Sequence, residues 1–126
     1  MGSGHSKMSD AQSRLEMSYI QVTDLAAHLG TYLRYLRAQV TASSQRNALI
    51  RTSQAMQGKL LDLQESGEGT IAVSLNSEEL ALLKTLLKDI KPLFEQMPAS
   101  PERERNLRSL LELQQLFTHT LRITLD

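Results

Sequence analysis

Among the side chains able to do chemistry near neutral pH, two histidines come first: His28 in AAHLGTY and His119 in FTHTL. Neither fits the di-iron bundle pattern, which needs Glu three residues before His on two helices, because Leu25 and Leu116 occupy those places. Both histidines are read as solvated side chains on polar helix faces, with no metal partner. ESGEG, residues 65–69, has glycines at the wrong spacing for a dinucleotide turn, and no nucleophile elbow or paired-carboxylate cleft is visible. The chain contains no cysteine, which removes thiol nucleophiles and thiolate metal sites. The expectation is a protein without catalytic residues, metal or cofactor.

Cationic chemistry is the second possibility. From residue 25 to residue 61 there is no Asp or Glu, while Arg34, Arg37, Arg46, Arg51 and Lys59 supply five positive charges. Arg34, Arg37, Arg46 and Arg51 therefore form a candidate patch for an anion or for nucleic acid, and binding through it would weaken steeply with salt. Two arguments weigh against it. In YLRYLR, residues 32–37, helical spacing sends the tyrosines to one flank of the apolar seam and the arginines to the other, whereas single-strand binding needs both in one groove. Arg46 and Arg51 would point about 140° apart on a helix. Tyr32 is expected at the edge of the core with its hydroxyl in water.

The elements that would carry these residues are helices. Leu15, Val22, Leu25, Leu29, Leu33, Leu36 and Val40 step by three, four or seven, which is one helical face. A second seam through Leu49, Met56 and Leu60 lies nearly opposite Leu33 if the helix is extended straight. A turn near Thr41, Ser43 and Ser44 is therefore expected; the alternative is one rod feeding two cores in an exchanged dimer. Gly30 marks a place where a neighbour could approach closely.

After ESGEG, Ile71, Val73 and Leu75 alternate as an extended segment, expected to lie along the helices because no second strand is evident. LNSEEL then starts a helix: Asn76 caps, Glu79 completes the capping box, and Leu75 with Leu80 forms a hydrophobic staple. Pro92 should bend or end that helix near Lys91, after which it resumes for about a turn until Met97 and Pro98 close it. Ser100 followed by Pro101 begins the last helix.

The whole reads as an all-α, antiparallel four-helix bundle with a short extended linker between helices 2 and 3. Residues 1–7 are an added tail, and residues 8–126 form a single domain. The 126 residues are 40% hydrophobic and 22% charged, with fourteen acids balancing fourteen bases, so no overall field draws in polyanions or anionic membranes. No apolar run reaches the roughly 18 residues of a membrane span, and cytoplasmic residence is expected.

Helices 3 and 4 carry more leucine than one packing face requires. The surplus points to self-association, a dimer above all, or to a partner helix, through Leu82, Leu86, Leu93, Leu113 and Leu116. The function expected is a regulatory adaptor working by protein-protein interaction, with nucleic-acid association through the arginines as the alternative.

Overall fold

The computed structural model describes residues 13–66 and 69–121. The expected tail at residues 1–7 lies outside them. Six elements follow one another: β1 (Ser13–Ser18), α1 (Tyr19–Gln39), α2 (Ser44–Ser66), β2 (Thr70–Leu75), α3 (Ser77–Glu95) and α4 (Pro101–Leu121). The molecule is mostly helical but not all-α, because β1 and β2 pair as a two-stranded antiparallel sheet.

The strand β1 corrects the expectation that helix 1 begins at Leu15. In SRLEMS the burial alternates, with Leu15 and Met17 inside and Arg14 and Glu16 outside, the period of a half-buried strand. Leu15 pairs with Val73 and Met17 with Ile71, so one apolar face of the sheet closes over the core. β2 thus finds the partner its backbone requires. The helix begins where Ser18 caps it: the hydroxyl accepts from Gln21 N at 3.1 Å while Gln21 Oε1 accepts from Ser18 N at 2.9 Å.

The turn between α1 and α2 is present, which removes the single-rod alternative. Val40 is extended, and Ser43 caps α2 by accepting from Arg46 N at 3.0 Å. The two helices then run antiparallel, tied by Gln57 Nε2 donating to Ala26 O at 3.0 Å and Gln64 Nε2 donating to Thr23 Oγ1 at 2.7 Å. Gly30 sits at their close approach, where a β-carbon would stand 3.1 Å from Gln57 Nε2. Gly69, with φ +67°, makes the left-handed entry into β2 that a side chain would disfavour.

The capping box at Asn76 forms as expected, with Glu79 N bonded to Asn76 Oδ1 at 2.8 Å and Asn76 N to Glu79 Oε1 at 2.9 Å. Glu79 is buried and also receives Lys59 Nζ at 2.9 and 3.0 Å; the same ammonium donates to Ser74 O, so one lysine joins α2, β2 and α3. Pro92 does not end α3, which runs to Glu95. The helix closes at Gln96 and Met97, whose N–H groups donate to Pro92 O and Phe94 O. Ser100 starts α4, accepting from Arg103 N at 3.1 Å.

Cross-helix bonds set the packing. Tyr32 reaches Asp89 on α3, while His28 and Asp24 reach Ser109 on α4. β1 and β2 lie at the start of α1 and between α2 and α3, whereas the turn at residues 40–43 lies at the opposite ends of α1 and α2. No helix among the described residues is long and apolar enough to cross a membrane.

Candidate functional site

The turn end of the bundle carries a polar pocket. Its floor is Tyr32, 0% exposed and therefore not at the wet edge of the core as expected. A phenol held that deep needs an acceptor, and Asp89 on α3 provides it: Tyr32 Oη donates to Asp89 Oδ2 at 2.9 Å. Burial and then the Asp89 carboxylate push the Tyr32 phenol well above its ordinary value, so it remains a donor. The Tyr35 ring lies nearly parallel to that of Tyr32, with centroids 6.0 Å apart.

Around these two rings, Leu36, Val40, Leu49, Ser43, Gln45, Arg46 and Asp89 enclose a cavity of about 240 Å³. Arg46 enters it from the first turn of α2, which carries no acid. Its Nε is buried without a hydrogen-bond partner. Tyr35 also lines a wider pocket of about 400 Å³, shared by Arg34, Gln39, Leu93, Phe94 and Met97.

The four candidate arginines are accordingly distributed. Arg34 and Arg46 border neighbouring pockets that both include Tyr35; Arg34, Arg37 and Arg51 are exposed, and Arg46 is half-buried. None of the four appears in an ion pair among the described residues, where Lys59–Glu79 is the pair found.

A second polar group lies deeper in the bundle. His28, expected in solvent, is 4% exposed, with its ring 5.4 Å from that of Phe94. Ser109 Oγ donates to Asp24 Oδ2 at 3.0 Å and lies 3.0 Å from His28 Nε2. Because the serine proton goes to the carboxylate, His28 Nε2 carries the hydrogen in that contact. The serine stands between acid and imidazole, and the imidazole offers it an N–H instead of a lone pair. This order ties α1 to α4 through one buried serine. Desolvation lowers the His28 pKa, opposed by the charge of Asp24. Asp24 stands four residues before His28, on the same helix face, a spacing that the reading of His28 as partnerless overlooked. His119 is exposed, as expected. No group of three His, Cys, Asp or Glu among the described residues is placed to hold a metal.

The leucines expected to form an interface divide sharply. Leu82, Leu86 and Leu113 are buried in the protomer's own core, with Leu113 1% exposed, and cannot serve as an outer face. Leu93 and Leu116 are half-buried at its margin. The apolar surface that remains on α4 centres on Leu111, 53% exposed, a residue with no part in that expectation. Leu107, Leu110, Leu111 and Gln114 of α4 face Lys91 and Glu95 of α3 across an open groove of about 220 Å³. The apolar wheel positions of α4 contained this signal, but their excess was assigned to residues that the core claims.

No protein-family model matches this chain, and comparison with curated proteins and with solved structures finds no match either.

Proposed function

We propose that this chain is a non-catalytic interaction module that pairs with a second copy through the groove between α3 and α4, serving as a regulatory adaptor. The observation that carries the reading is Leu111, 53% exposed beside Leu107 over that groove. Withdrawing the exposed half of a leucine from water gains about 1 kcal/mol, and a partner helix face is the simplest means of covering it.

Charge supports a second copy as the occupant. A two-fold interface meets itself, so its rim must complement itself. Lys91 and Glu95 lie one turn apart on the groove's α3 side; with the two α3 helices antiparallel across the axis, each lysine would meet the other copy's glutamate. Rim pairs of this kind set register more than affinity.

Sedimentation tests the proposal. At about 100 µM, enough to populate even a weak dimer, the wild-type chain should show twice the protomer mass, and Leu111→Asp should return it to the protomer mass with helical circular dichroism intact. Lys91→Glu or Glu95→Lys alone should weaken pairing, and the double exchange should restore it. A wild-type chain that sediments as a single copy overturns the reading.

A further inference from the structure

The pocket at the turn end of the bundle holds two opposite charges that do not pair with each other. Arg46 and Asp89 both line it, yet the ion pair found among the described residues is Lys59–Glu79, elsewhere in the fold. Arg46 Nε is buried with no partner. Asp89 accepts through Oδ2 from Tyr32, which fixes the carboxylate in place and leaves Oδ1 with no bond from any described residue. An unpaired buried donor such as Arg46 Nε is costly, and a molecule with a carboxylate for Arg46 and an ammonium for the Asp89 carboxylate would satisfy that donor while using both charges that line the pocket.

We propose that this pocket binds a free amino acid with an aliphatic side chain, its carboxylate on Arg46 and its ammonium on Asp89. The remaining walls suit that occupant. Leu36, Val40, Leu49 and the ring of Tyr35 offer an apolar surface for the side chain. The first turn of α2 adds its positive end beside Arg46, with no acid to neutralise it. A pocket of about 240 Å³ lies below the range of drug-sized ligand sites, and a small amino acid such as leucine matches that scale. The site lies at the end of the bundle away from the sheet and shares no lining residue with the α3–α4 groove, so it stands or falls independently of dimer formation.

Calorimetric titration of the full chain with L-leucine, 4-methylpentanoate and isoamylamine separates the contributions, since the two analogues each keep one charge and the same branched chain. L-leucine should bind at one site per chain, and each analogue at least about tenfold more weakly, as expected when a polar group of the site is left unpaired. Arg46→Gln should weaken L-leucine binding by about tenfold or more, as should Asp89→Asn; because Asp89 also holds Tyr32, Arg46→Gln is the variant on which the proposal rests if Asp89→Asn does not fold. Amide shifts on titration should centre on Tyr35, Arg46 and Leu49. No heat and no shifts with L-leucine at about 10 mM, well above millimolar dissociation constants, overturn the proposal. So does 4-methylpentanoate binding as tightly as L-leucine, which would leave a carboxylate site alone, or L-leucine affinity unchanged by Arg46→Gln.

Discussion

His28 links burial to pH in a way that can be measured. Its ring sits between Phe94 and the Ser109 hydroxyl, with Asp24 beyond the serine. Desolvation holds the folded-state pKa below the ordinary imidazole value of about 6.5, and Asp24 only partly offsets it. Below about pH 6.5 the unfolded chain therefore takes up a proton that the folded chain refuses, and stability falls as pH drops until the folded ring protonates as well. Each tenfold difference in proton affinity corresponds to about 1.4 kcal/mol. Replacing His28 with Gln keeps a neutral N–H donor for Ser109 but cannot titrate. Urea unfolding of both proteins between pH 7.5 and pH 5, values chosen to bracket that transition, should show the wild type losing more stability than His28→Gln. Parallel pH profiles would show that the ring is not held neutral by its surroundings.

At the scale of elements, β1 is the feature on which helix and strand make opposite predictions. Glu16 and Ala72 are direct cross-strand partners on the exposed face of the sheet. Threonine favours strands and disfavours helices. The double change Glu16→Thr and Ala72→Thr should therefore stabilise the protein by a few tenths of a kcal/mol, in keeping with cross-strand pairs generally; the same changes in a helix would cost stability. Thermal unfolding distinguishes the signs. The strand escaped a reading of the sequence because Leu15 precedes Val22 by seven residues and joins the helical face by count alone, while the two-residue alternation of Leu15 and Met17 spans only a few positions. Caps were more legible: Asn76 with Glu79, Ser100 with Pro101 and Ser43 act through local bonds, so neighbouring residues suffice to identify them. The candidate pocket was not legible, because Tyr32, Arg46 and Asp89 come from three helices and only tertiary packing brings them together. Helical spacing located Tyr32 on a flank of the seam correctly, but burial of that flank depends on where α3 lies.

For the whole molecule, the question is whether the leucines of α3 and α4 hold one chain together or two. Leu82, Leu86 and Leu113 belong to the core of the single chain, so truncating any of them to Ala should cost about 2–5 kcal/mol of folding stability and says nothing about assembly. Leu111 is half outside, and its replacement by Asp leaves that core intact. The two roles separate by mass action. If folded chains pair and unfolded chains do not, the unfolding midpoint rises with protein concentration, because dimer formation draws on the folded state alone. A hundredfold increase in concentration should therefore raise the thermal midpoint of the wild type. For Leu111→Asp the midpoint should be independent of concentration and equal to that of the wild type at high dilution. A Leu113→Ala chain should unfold at lower temperature throughout and still show the concentration dependence, since its groove is unchanged. If the wild-type midpoint is flat across that range, the exposed leucine is surface on a solitary bundle, and the charges at Lys91 and Glu95 have no partner copy to meet.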